Sequence, residues 1–310
     1  GLRRVATPRP GPGQVLVAVT VAGICRTDVA VAQGQLPARD PVVLGHEFSG
    51  HVVELGPGVD DVPLETQVAV FPLTPNGEFL GVDLDGAFAE YVVVPRTSVW
   101  VVPATLPPRV VAYAEPVAAA MSLTNEVAPN ERVFLRGHGR IAALVARLLA
   151  LRGCAHVVTS PSEAIIRDGQ VAPVTPPFDV VIDCVPRPAT DGTAAESWCR
   201  ALLRPNGRLL RRLTTVGRQQ PHGRNQAPRR TLHPASSLGP SWEEHLVRYG
   251  SFAEALTLLT EGQLRVDDFF GCVTPLETIV AVLLQDAAEE TSGHGVRTKA
   301  FVAPDPACVA

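Results

Sequence analysis

The chain is nearly without lysine. Lys299 is its sole one, and the other 26 of its 27 basic residues are arginine. With 29 prolines and abundant alanine and valine, this pattern reflects a GC-rich coding bias and says nothing of function. The 31 acidic residues outnumber the basic ones, and a net charge of −4 excludes nucleic acid as the main partner. No uninterrupted apolar run reaches the ~20 residues that a spanning helix needs, so no membrane segment is expected. There is no C-x-x-C pair. The six cysteines (Cys25, Cys154, Cys184, Cys199, Cys272, Cys308) are scattered singly, which excludes a disulfide framework and a four-cysteine zinc knot. Reduced thiols in the cytoplasm fit this usage. A signal peptide is also lacking. The chain opens at Gly1 rather than at methionine, so a trimmed or incomplete N-terminus is expected.

What is present suits a folded protein of about two domains: 310 residues, 46% of them hydrophobic. Residues 14–22 alternate as a strand does, and 42–58 read as strand, turn, strand. Residues 67–72 and 87–95 add short β segments. Up to about residue 110, many short strands with Gly/Pro punctuation predict a barrel-like β domain. Strands and helices then alternate. Helices are expected at 116–126, 141–152, 194–203 and 252–261, and strands at 131–135, 156–159, 178–184 and 207–211. That order predicts a parallel α/β sheet. Residues 217–240 read as a long polar loop, and 296–304 as a strand returning to the first domain.

The chemistry concentrates in Gly23-Ile24-Cys25-Arg26-Thr27-Asp28 and Gly45-His46-Glu47. Cys25 and His46 offer a thiolate and an imidazole 21 positions apart, both suited to zinc. Glu115, before Pro116, is a third candidate. Three protein ligands and one open position describe a catalytic zinc site rather than a structural one. Taken singly, Cys25 reads sooner as a small core thiol and His46 as a satisfied core imidazole, and Glu115 reads as a capping or dipole-satisfying residue at a helix start. Asp28 is placed to hydrogen-bond the His46 imidazole and fix its tautomer. The run Gly137-His138-Gly139-Arg140-Ile141-Ala142 follows a predicted strand and opens a predicted helix. That is the context in which such a turn cradles a pyrophosphate.

Together these segments resemble the medium-chain dehydrogenase/reductase superfamily, in its zinc-dependent alcohol and polyol branch of sorbitol and threonine dehydrogenases. Residues 10–17 resemble its early strand, 23–28 its cysteine segment and 45–58 its glycine-rich GHE segment. Residues 85–91 resemble the stretch that re-enters its barrel, Glu115-Pro116 its third-ligand segment, and 203–208 its late Rossmann turn. The resemblance implies an α/β plus β fold: a GroES-like β-barrel catalytic domain (1–116 and 262–310) interrupted by a shortened Rossmann-type domain (117–261). It implies a zinc-dependent oxidoreductase moving hydride between a secondary alcohol, polyol, sugar-like or amino-alcohol substrate and a nicotinamide cofactor. One catalytic zinc would be held by Cys25, His46 and Glu115, with Glu47 beside it as an outer group able to take a ligand position. Thr27 would accept the proton of the substrate oxygen. A histidine often found three residues later is replaced by Ala30, so the relay would run through the ribose and water. Arg26, Gly137, Gly139 and Ala142 would hold the cofactor, and His138 would be a turn residue. A homodimer or homotetramer is expected.

Several departures shape the expectation. The strand ending at Ser160 carries no acid for the ribose, and with Arg167 nearby this tilts the reading towards NADP(H) over NAD(H). The four-cysteine lobe is missing between Phe71 and Gly81, so no structural zinc is expected. Only 17 residues separate Ser160 from Phe178, room for a short helix and a strand around 171–174. Pro186 stands where the family tends to have glycine. The chain also starts inside what would be the family's first hairpin. A redox-neutral or non-zinc reductase variant, and a degenerate binding or regulatory protein keeping the fold, are the alternatives.

Overall fold

A computed structural model describes the chain except residues 138, 156, 161–164, 168–169, 173–174, 186–191, 213–242, 248–250, 284–298 and 310. In chain order the N-terminal part holds β1 (Gln14–Gly23), α1 (Arg26–Ala32), β2 (Glu47–Leu55), β3 (Gln67–Val70), β4 (Tyr91–Pro95) and β5 (Val99–Val101), then α2 (Pro108–Ala112) and α3 (Ala114–Met121). The middle part holds β6 (Val133–Arg136), α4 (Arg140–Leu151), β7 (Val157–Ser160), β8 (Ile165–Arg167), β9 (Gln170–Ala172), β10 (Phe178–Asp183), α5 (Gly192–Ala201), β11 (Leu203–Arg212), β12 (Glu243–Val247) and α6 (Phe252–Thr260). β13 (Phe270–Pro275) and β14 (Lys299–Ala303) close the chain.

β1 organises the first sheet. Its run of Val and Leu suits a pleated, buried surface. One edge pairs antiparallel with β2; the other is shared, β4 taking residues 14–18 and β14 taking Ala22 and Gly23. The seven strands run β13-β14-β1-β2-β3-β5, with β4 on β1. The C-terminal strand therefore lies directly beside Gly23, two residues before Cys25.

The second sheet is parallel, in the order β12-β11-β10-β6-β7. β6 leads through α4 to β7 on one side and has β10 on the other. The crevice outside a doubly wound sheet opens at such a reversal. The expected β domain and parallel α/β sheet are thus both present.

Boundaries moved by a few residues, and some expectations changed. Residues 42–46 are irregular, and the strand begins at Glu47. Between Ser160 and Phe178 the expected short helix is not seen among the described residues. The β segment there, β8 with β9, is an antiparallel hairpin that does not join the parallel sheet. The loop 217–240, His138 and Pro186 lie outside the described residues.

α3 ties the two parts together. All eight of its residues are buried, and it packs on α4 and α6. Its small side chains (Ala114, Ala118, Ala119, Ala120) permit that close approach. One apolar core runs from Val21 and Ala69 of the first sheet through α3 to Leu135 and Val180 of the second. A second core, including Val15, Phe48 and Val92, lies within the first sheet's own fold. Among the described residues no helix is long and apolar enough to cross a membrane.

Candidate metal centre and glycine turn

Cys25 stands at the turn between β1 and α1. Its N–H donates to Oδ2 of Asp28 at 2.9 Å, three residues ahead in the first helical turn. An acidic group there reaches back to the free N–H at the helix start, which fixes where the cysteine points. The other oxygen of Asp28 accepts the Gly45 N–H at 3.0 Å and lies 3.3 Å from Nδ1 of His46. One buried carboxylate thus joins the cysteine turn to the segment before β2.

Gly45 cannot carry a side chain. Its φ is +98°, and a Cβ would come within 2.7 Å of the Phe88 ring and 2.9 Å of the Phe88 nitrogen. Residues 86–88 dock on 43–45 through backbone hydrogen bonds such as Phe88 N–H to Leu44 O at 2.8 Å. That contact sets the approach angle of His46, whose ring packs on Phe79 with centroids 5.1 Å apart.

The result is a cluster: one donor atom each from Cys25, His46 and Glu47, all within 4.8 Å of one another. His46 is fully buried, and its Nε2 meets no hydrogen-bond partner. A buried imidazole nitrogen left unsatisfied beside a thiol and a carboxylate fits a metal ion, and the N, S and O donors are those zinc takes. Burial alone would push the His46 pKa down. Asp28 and Cys25 outweigh it and hold the imidazole well above its ordinary value.

The sequence-predicted ligands are not all brought together equally. Glu115 is buried in the first turn of α3, but the carboxylate that joins Cys25 and His46 in the cluster is Glu47. Thr27 lies next to the centre: Cys25 Sγ donates to its Oγ1 across 3.7 Å. Arg26 is exposed at the start of α1.

Sequence reasoning missed one residue altogether. Lys299 on β14 is 3% exposed; its ammonium pairs with Oε2 of Glu47 and donates to Ile24 O at 3.4 Å. Burial would raise the Glu47 pKa, but Lys299 first and then His46 hold it below the usual carboxylate range. Lys299 Nζ also sits 5.6 Å from the centre of the Tyr113 ring. The available signal was its being the only lysine; nothing in spacing could show a partner 252 positions away.

The glycine turn lies at the C-terminal end of β6. Gly137 has φ +124°, and a Cβ there would sit 3.2 Å from Cys184 Cβ and 3.4 Å from the Cys184 backbone. It therefore packs against the end of β10, at the reversal of strand order. Gly139 precedes α4, and Ala142 is buried, its small side chain letting the helix lie close to the sheet. Arg140, the first residue of α4, is among the charges that lower the Glu47 carboxyl. The start of α4 thus lies within electrostatic reach of the cluster. Ser160 ends β7 beside Arg136, and Arg167 closes β8.

Residues 11–104 match the family described as the alcohol dehydrogenase GroES-like domain. The chain is 34% identical over 185 residues to L-threonine 3-dehydrogenase of Pyrococcus furiosus, a stretch covering 52% of this chain and 53% of that protein. It is 32% identical over 179 residues to sorbitol dehydrogenase of Halalkalibacterium halodurans, 52% of each chain. The chain spans about half the length of the curated relatives it matches. Among solved structures, 2R,3R-butanediol dehydrogenase of Bacillus subtilis superposes with a TM-score of 0.75 at 22% identity, covering 98% of this chain and 96% of that one. At that identity the likeness is one of fold.

Proposed function

We propose that this chain, which belongs to the medium-chain dehydrogenase/reductase superfamily, is a zinc-dependent oxidoreductase. It would transfer hydride between a secondary alcohol of polyol, sugar-like or amino-alcohol type and a nicotinamide dinucleotide. The observation that carries this reading is the buried cluster: Cys25, His46 and Glu47 within 4.8 Å, with His46 Nε2 unsatisfied. The matches to threonine and sorbitol dehydrogenases support the substrate class.

Cys25 and His46 would hold the zinc, with a carboxylate, Glu115 or Glu47, as the third protein donor. A zinc bound there would supply Lewis-acid polarisation of the substrate oxygen, and a nicotinamide dinucleotide would supply the hydride acceptor or donor. The chain's own groups do the rest. Asp28 fixes the His46 ring. The Thr27 hydroxyl, beside Cys25, would take the proton of the substrate oxygen, and Ala30 offers no imidazole to carry it on. Gly137, Gly139 and Ala142 would let a pyrophosphate approach the start of α4, and Arg26 would offer it a cation. With no acid at the end of β7, Ser160 and Arg167 favour NADP(H). Residues 1–116 with 262–310, and 117–261, form the two domains that bound the cleft.

A non-catalytic binding protein is the second reading. It gains from the shortness of the parallel sheet, which has five strands among the described residues and is not joined by the β8–β9 hairpin. The two are separated by one preparation. Zinc-loaded protein that enhances NADPH fluorescence and turns over polyols or amino-alcohols supports the enzyme. Zinc-loaded protein that binds neither NADPH nor NADH supports the binding protein.

A further inference from the structure

We infer that Lys299 is a positioning residue for the metal centre: its buried ammonium holds Glu47 back from the metal and leaves the open position free. This rests on the zinc reading above and adds to it the control of coordination.

The geometry is specific. Glu47 has two calls on its carboxylate. One is the cluster, whose Cys25 and His46 donor atoms lie within 4.8 Å. The other is Lys299, buried with it at 4% and 3% side-chain exposure. An ion pair taken this far out of water survives only where geometry and further bonds compensate for desolvation. Here they do. Nζ also donates to Ile24 O, and it lies over the Tyr113 ring. The fold also clears a path. Gly23 on β1 faces Glu47 on β2 and Phe301 on β14, so Lys299, two residues before Phe301, reaches Glu47 across the one position without a side chain. A Cβ on Gly23 would meet the Lys299 stem at 2.9 Å and Glu47 Oε2 at 3.0 Å.

Three residues on neighbouring strands are therefore matched to one ion pair. With Glu47 committed to the ammonium, the third donor place falls to Glu115 and the fourth stays open. Without the ammonium, Glu47 has no equal partner but the metal, and it closes the site.

The test uses the purified full chain stripped of metal. Zinc affinity is read by competition with a coloured chelator, and coordination by the visible bands of bound Co²⁺. Lys299→Met is expected to bind zinc at least about tenfold more tightly, the scale on which outer partners tune metal sites. Its cobalt bands should weaken as a further ligand joins. The double variant Lys299→Met/Glu47→Gln should return both readouts towards the parent. Should Lys299→Met not fold, Gly23→Ala wedges the same pair apart and should move both readouts in the same direction. Unchanged affinity and bands in the folded variant, or a double variant identical to the single one, overturns the inference. Failure of the zinc reading shows separately, as zinc retained by Cys25→Ser.

Discussion

Oδ1 of Asp28 lies 3.3 Å from Nδ1 of His46 while Oδ2 of the same carboxylate holds the Cys25 N–H at 2.9 Å. Asp28 thus sets two metal donors at once, one through its ring and one through its backbone.

Asp28→Asn follows from this. An amide can accept from Gly45 or from Cys25 but presents an N–H₂ where the second acceptor stood. The unpaired buried N–H should cost about 1–3 kcal/mol in urea denaturation. The loosened imidazole should lower zinc affinity about 10- to 100-fold. A variant with parent-like stability and zinc affinity would remove Asp28 from the centre.

Gly137→Ala tests the glycine turn. Its φ of +124° is one that L-residues rarely adopt, and the new Cβ meets Cys184 at 3.2 Å. Strain of about 1–3 kcal/mol is expected. NADPH binding, read by fluorescence, should weaken while zinc content is kept. Loss of zinc with NADPH binding intact would reverse the assignment of the two halves.

A surface pair gives a pH-dependent prediction. The Arg147 guanidinium, hydrogen-bonded to Asp268, holds that carboxyl below the ordinary value of 3.8. A depressed carboxyl pKa adds stability above the ordinary value, and that stability is lost as pH falls through the folded one. The Asp268 side chain is 61% exposed, so solvent screens the pair. Asp268→Asn should cost under about 1 kcal/mol at neutral pH. The difference from the parent should vanish in acid well below pH 3.8. Arg147→Met should cost more, because Arg147 also donates to Arg265 O at 2.6 Å and lies 4.2 Å from the Phe269 ring centre. Equal losses for the two variants would mean that the ion pair alone counts.

The metal half of the cleft was legible because its signals are local. A cysteine three residues before an aspartate, and glycine-histidine-glutamate ahead of a strand, need little else to place them. The glycine turn was legible for the same reason, framed by a strand and an apolar helix. The sequence reading puts Glu115 ahead of Glu47 as the third donor, whereas the cluster holds Glu47, since which buried carboxylate comes nearer depends on how α3 docks on β2. Lys299 was invisible because its meaning comes from β14 lying beside β1, a pairing across 278 positions between Gly23 and Phe301 that no periodicity encodes. The short α1 was missed because a seven-residue helix has too few turns to show a period. The 17 residues between Ser160 and Phe178 are too few for the helix-plus-strand unit of a parallel sheet, and β8 and β9 pair with each other instead.

The central claim is a zinc ion held by Cys25 and His46. Elemental analysis of the purified chain beside Cys25→Ser, with circular dichroism to confirm that both are folded, tests it most directly. About one zinc per parent chain, falling below about a tenth in Cys25→Ser, is the predicted result. Full zinc occupancy in folded Cys25→Ser, or none in the zinc-supplied parent, would contradict it.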